Sequence, residues 1–142
     1  MKCIKYKSGY KYQLKDNYSV TIPVKPPADI ITAYITLNTQ GLLMLRDGYA
    51  WDGPSGPTID TLTFMRGSLI HDALYQLMRE GKLDRTVFRE PVDQLLRAIC
   101  IEDGMWPFRA WYVYQAVRRF ARDATDPAQD HPLTLTPAGC EP

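Results

Sequence analysis

The 142-residue chain holds two histidines, and they stand in different company. His71 lies in Ser68-Leu69-Ile70-His71-Asp72-Ala73-Leu74-Tyr75, directly ahead of a carboxylate, whereas His131 sits in a proline-rich stretch. Imidazole is the side chain whose ordinary pKa falls near neutrality, so acid–base or metal chemistry points to His71. Asp93 comes on the next helical segment. If Asp93 accepts from one ring nitrogen, the tautomer is fixed and the other nitrogen is left as a base. Asp72 is placed for a hard cation. The loop Trp51-Asp52-Gly53-Pro54-Ser55-Gly56-Pro57 lies just upstream, and its carbonyls could add the oxygen ligands that calcium prefers. Glycine and proline suit such a loop because they present carbonyls without obstructing side chains.

The elements that must position these residues are legible as periodicities. Ile70, Ala73, Leu74, Leu77 and Met78 form a helical stripe from Thr61 onward, with Gly81 as a stop. Val92, Leu95, Leu96 and Ile99 form a second stripe ended by Gly104, and Pro91 either opens that helix or kinks one begun near Asp84. A third helix starts near Pro107, with Val113, Ala116, Val117 and Phe120 as its inner face. His71 follows Ile70 and Asp93 follows Val92, so each is turned about 100° from a core residue in the same sense. Two antiparallel helices packed through these stripes would place both side chains along one groove. The first third alternates instead: Tyr10, Tyr12 and Leu14, then Tyr18, Val20 and Ile22, the period of half-buried strands. Pro23, Pro26 and Pro27 interrupt it. Ile30 to Leu37 is a β-branched run, Asn38-Thr39-Gln40-Gly41 a turn, and Leu42 to Leu45 its hairpin partner. The expectation is α+β: an N-terminal antiparallel β-sheet, then three α-helices, then a disordered proline-rich C-terminal tail. The single domain is expected over 1–125 (strands 1–50, loop 51–60, helices 61–125), with the flexible tail over 126–142.

Plainer readings compete for each residue. A histidine beside an apolar stripe is commonly a core-edge side chain hydrogen-bonded to a carbonyl. Asp72 could be solvated or paired with Arg79 or Arg66, Tyr75 could be packing, and the loop could be a connector. Arg109, Arg118, Arg119 and Arg122 give the third helix a basic face, most simply a solvated one, with contact to anionic lipid or nucleic acid as the alternative. Ser55 fails as an acyl-transfer nucleophile because Pro57 stands where a nucleophile elbow needs its last glycine. Zinc and metal-dependent phosphohydrolase chemistry lack further histidines. With 45% hydrophobic and 23% charged residues, composition is that of an ordinary globular domain, and a net charge of +1 argues neither for a nucleic-acid binder nor for an acidic surface. Three cysteines, Cys3, Cys100 and Cys140, fit a reducing compartment with neither zinc pattern nor disulfide framework. Residues Met1 to Lys7 lack a signal-peptide core, and no apolar run approaches the roughly 18 residues that span a bilayer.

The motifs Gly48-Tyr49-Ala50-Trp51-Asp52-Gly53-Pro54-Ser55-Gly56-Pro57, His71-Asp72-Ala73-Leu74-Tyr75, Asp93 and Asp103-Gly104-Met105 resemble, in the same order, the phage and prophage family labelled domain of unknown function 1353. The resemblance runs from about Tyr10 to Ala121. It implies a phage-encoded protein and no settled activity. More distantly, the loop, the helical His-Asp with its following Tyr, and the later Asp are similar to the phospholipase A2 site, most nearly its disulfide-free form in parvovirus capsid proteins. That likeness implies His71 as the base, Asp93 as the orienting carboxylate, and Asp72 with carbonyls of Trp51, Gly53 or Gly56 as calcium ligands. Asp52 is an extra acidic residue relative to that loop, either a ligand or a turn cap, and the N-terminal sheet has no counterpart in those enzymes. The function expected is a phospholipase A2-like, calcium-dependent ester hydrolase acting on phospholipid or another ester. The alternative is a non-enzymatic virion or tail component, or a host-interaction protein, whose partners are phage or host proteins met through Trp106, Trp111 and Tyr114. The expected location is the host cytoplasm or the assembled virion.

Overall fold

In the computed structural model, which describes residues 4–6, 12–51, 62–127 and 134–136, all but the last of the described strands precede the helices along the chain. Strands β1 (Ile4–Tyr6), β2 (Tyr12–Gln13), β3 (Tyr18–Thr21), β4 (Ile30–Ile31), β5 (Ile35–Leu37), β6 (Leu42–Leu45) and β7 (Ala50–Trp51) come first. Helices α1 (Leu62–Arg79), α2 (Arg85–Glu102) and α3 (Pro107–Phe120) follow, then a 3-10 turn at Arg122–Thr125 and β8 (Thr134–Thr136). The architecture is α+β, with antiparallel sheets from the N-terminal strands and three helices after them.

The main sheet is antiparallel in the order β3-β6-β5-β4. Its centre is the hairpin β5–β6, with Leu37 opposite Leu43 and Ile35 opposite Leu45. Asn38 makes the turn: its Oδ1 accepts from the backbone N–H of Gln40 and of Leu42, both at 2.9 Å. Gly41 completes it at a φ of +87°, where an added Cβ would overlap the carbonyl of Ile22, so this position needs glycine. The run from Ile30 to Leu37 is two strands rather than one. Thr32 folds it back, with its Oγ1 accepting from the Ile35 N–H at 2.9 Å. A second pair, β2–β7, sets Tyr12 opposite Trp51. Thr134–Thr136, within the stretch expected as tail, pairs with Ile4–Tyr6 in antiparallel register. Tyr10 lies outside the described residues.

Each helix ends for a local reason. Gly81, at a φ of +72°, lets the Lys82 N–H reach back to the Leu77 carbonyl at 2.8 Å and close α1. Asp84 caps α2, accepting from the N–H of Thr86 at 2.9 Å and from its hydroxyl at 2.6 Å. Pro91 therefore stands inside α2, the second of the two placements the sequence allows. Pro91 and Val87 are both exposed, so the helical hydrogen bond that proline omits is lost at the surface of the helix. The hairpin contributes Leu37 and Leu43 to the core and the segment after β3 contributes Ile22 and Val24; α1 contributes Ile70, Leu74, Leu77 and Met78; α2 contributes Val92 and Ile99. A second cluster, Phe64, Leu96, Cys100, Met105, Ala110 and Val113, joins the three helices. Gly67 lets α1 and α2 approach closely, since a Cβ there would meet Leu96 and Cys100 at 3.0 and 3.1 Å. Phe120 departs from its expected place on the inner face of α3 and is exposed. Two turns beyond Val113 it lies past the packed part of the helix, where the Arg89 side chain takes the carbonyls of Val117 and Arg118 instead. Among the described residues no helix is long and apolar enough to cross a membrane.

Candidate functional site

His71 and Asp93 meet between α1 and α2, and both side chains are buried there. His71 Nε2 lies 2.8 Å from Asp93 Oδ1, with His71 only 6% exposed and Asp93 wholly buried. The partner is a carboxylate, not the main-chain carbonyl of a core-edge histidine. An ionised Asp93 can only accept, so Nε2 carries the proton and Nδ1 of the neutral ring is the open acceptor. Nδ1 faces Asp72 Oδ1 at 3.8 Å, beyond direct hydrogen-bond length.

Three further side chains complete the centre. Tyr75, one turn after His71 on α1, donates its hydroxyl to Asp93 Oδ1 at 2.5 Å. Its ring lies 4.0 Å from the His71 ring, centroid to centroid. Arg118 of α3 donates to Asp93 Oδ2 at 3.0 Å. Arg89, one turn before Asp93 on α2, lies 3.9 Å from that same oxygen and donates to the Tyr75 hydroxyl at 3.3 Å. Its other nitrogen donates to the carbonyls of Val117 and Arg118 at 3.0 and 2.9 Å, tying the last turn of α3 to the site. All three helices thus converge on one carboxylate.

The electrostatics follow from this crowding. Burial opposes ionisation of Asp93, but donors from His71, Tyr75 and Arg118 outweigh it and hold the carboxyl below its usual range. Burial also opposes a charged His71, and the carboxylates of Asp72 and Asp93 overcome that and raise its pKa above the ordinary value. Burial next to Asp93 pushes Tyr75 far up, so it stays a phenol and a donor. Elsewhere, burial pushes the Cys100 thiol up to about 11, which leaves it unreactive as a nucleophile.

The remaining candidates divide by place. Trp51 is buried; its indole donates to Ser68 Oγ at 3.3 Å, and its ring is stacked with Tyr49 and tilted against Tyr12. It anchors the strand entering the glycine-proline loop to α1, one turn before His71. Asp52, Gly53, Ser55 and Gly56 lie outside the described residues, as does His131. Calcium takes six to eight oxygens, and no group of three or more His, Cys, Asp or Glu side chains gathers for a metal among the described residues. Of the candidate calcium ligands, Asp72 and Trp51 are described and the others lie in the loop outside the described residues. Arg66 and Arg79, considered as partners of Asp72, have other contacts. Arg66 forms a fork on Asp103 at 2.8 and 3.0 Å, and Arg79 donates to the Ala124 carbonyl at 3.0 Å.

Sequence reasoning brought out His71 and Asp93 and missed three of their neighbours. From sequence alone Tyr75 reads either as packing or as the tyrosine that follows the His-Asp pair, Arg118 as part of a basic face, and Arg89 does not stand out. The spacing of four between His71 and Tyr75, and between Arg89 and Asp93, was a usable signal. Arg118 had none, because its contact spans two helices. Compared with protein-family models, curated proteins and solved structures, the chain matches none.

Proposed function

We propose that this protein is a phage-encoded ester hydrolase of phospholipase A2-like chemistry, with His71 as general base and Asp93 as its orienting carboxylate. The observation that carries the reading is the 2.8 Å contact of His71 Nε2 with Asp93 Oδ1, the carboxylate itself being held on both oxygens. With Nε2 protonated, Nδ1 takes a proton from a water on the Asp72 side. That water attacks the ester carbonyl, and the imidazolium that forms is stabilised by Asp93 and Asp72. When the tetrahedral intermediate collapses, His71 returns the proton to the leaving alkoxide, so the ring ends neutral. Tyr75 and Arg118 act on Asp93, not on substrate; they hold its orientation against rotation. Calcium enters as what the resemblance implies, with Asp72, Asp52 and carbonyls of Trp51, Gly53 or Gly56 as ligands; when bound it would polarise the ester carbonyl.

The test is incubation of the purified chain with mixed phospholipid vesicles, with calcium or with chelator, and detection of free fatty acid by mass spectrometry. Calcium-dependent release by the wild-type chain, absent in His71→Asn, is the expected result. No release by folded protein overturns the proposal. The second reading, a virion or tail component or host-interaction protein in the host cytoplasm or the virion, is favoured by the exposed rings of Trp106 and Trp111.

A further inference from the structure

Helix α3 is apolar on two sides, and only one of them is covered. Ala110, Val113 and Val117 pack into the cluster with Phe64, Leu96, Cys100 and Met105. A second stripe, Phe108, Trp111, Tyr112, Gln115 and Arg119, recurs at helical spacing on another face. Phe108 is 77% exposed, Tyr112 47% and Trp111 44%; Trp106, at the N-cap, is 81% exposed. The rings of Phe108 and Trp111 lie 6.1 Å apart, so these are neighbours in one patch and not scattered single residues. A contiguous patch of this kind marks an interaction surface.

Its charge narrows the partner. From Pro107 to Phe120 the helix has three arginines and no carboxylate. Arg118 turns inward to Asp93, whereas Arg119 is exposed on the aromatic stripe with no ion pair among the described residues. We propose that this face of α3, with Trp106, docks onto an anionic phospholipid surface. Tryptophan and tyrosine rings favour the headgroup level of a bilayer, and arginine meets the lipid phosphates. The rings protrude from a convex helix, which suits a fluid partner that closes around them. A second copy suits the face poorly, since α3 set against α3 offers Arg119 no acidic residue from the facing helix. The inference is independent of the chemistry proposed for His71, because it concerns binding and not turnover.

The experiment uses the full chain with vesicles of phosphatidylcholine and vesicles of equal parts phosphatidylcholine and phosphatidylglycerol. Chelator is present throughout, so binding is read apart from calcium-dependent hydrolysis. Co-sedimentation measures partition, and tryptophan emission with brominated acyl chains reports ring depth. Expected are partition onto the anionic vesicles that weakens with salt, a blue-shifted emission, and quenching by the brominated chains. Trp106→Ser combined with Phe108→Ser should lower partition on the order of tenfold or more, the consequence of losing two buried rings. Arg119→Gln should weaken binding to anionic vesicles and leave the weak binding to phosphatidylcholine alone. The substituted side chains are exposed, so the fold should survive, and an unchanged urea midpoint verifies it. Absence of partition onto either vesicle, or partition unaffected by the Trp106 and Phe108 substitutions, overturns the proposal. Self-association that the same substitutions abolish, without vesicle binding, also overturns it and assigns the face to a second copy.

Discussion

Arg118 and His71 hold opposite oxygens of one buried carboxylate: Arg118 donates to Asp93 Oδ2 at 3.0 Å and His71 Nε2 meets Oδ1 at 2.8 Å. The two residues are on different helices, α3 and α1, and Asp93 on α2 lies between them. A carboxylate gripped from both sides cannot turn about its Cβ–Cγ bond without breaking a charge-assisted contact. The same contacts that orient the imidazole therefore also join the three helices.

Removal of Asp93 should be felt first as instability. Asp93→Ala leaves Arg118, Tyr75 and His71 without their common acceptor in a buried site, a loss of about 3–5 kcal/mol. Arg118→Ala, at a side chain part-exposed to water, should cost less, about 1–2 kcal/mol. Urea unfolding of both variants and of the double mutant checks this. A double-mutant cycle giving no coupling would mean that the contact contributes nothing.

His71→Asn should leave the fold intact and lower the rate of ester hydrolysis by about 10²–10⁴, the usual contribution of a general base. Asparagine keeps a polar side chain near Asp93 but offers no titratable nitrogen. Initial rates on vesicle substrate, alongside circular dichroism, provide the measurement. An unchanged rate in folded protein removes His71 from the mechanism.

Stability should pass through a plateau in pH. The folded-state pKa of His71 is raised, so its contribution is complete below the unfolded value of about 6.5 and is lost as pH rises through the folded value. Asp93 is depressed, so its contribution is present above about 3.9 and is lost as pH falls through the folded value. Melting temperature against pH should therefore fall off on both sides of that window. In His71→Asn the alkaline descent should flatten while the acid one persists.

Calcium at millimolar concentration should raise the melting temperature, and Asp72→Asn should abolish the increment, because ligand binding to the folded state alone stabilises it. A melting temperature indifferent to calcium counts against the ligand set of Asp72, Asp52, Trp51, Gly53 and Gly56.

Periodicity and punctuation carried much of this structure. Leu42–Leu45 pairs across the Asn38–Gly41 turn because those side chains dictate a local geometry, and the stripes of α1 and α2 placed His71 and Asp93 on facing sides. The turn and each helical stripe are consequences of contacts a few residues apart, which the order of residues alone determines; the His71–Asp93 contact, 22 positions apart, also needed the two helices to pack. The fold-back at Thr32, the outward turn of Phe120 and the inward turn of Arg118 were not legible in that way. Arg118 reads as one more cation on a basic helix until α3 is docked; only then does a carboxylate 25 positions earlier come within 3.0 Å. Sequence determined which residues could do acid–base chemistry. Tertiary packing decided which of them share one carboxylate, because such contacts depend on how helices cross and not on spacing along any one of them.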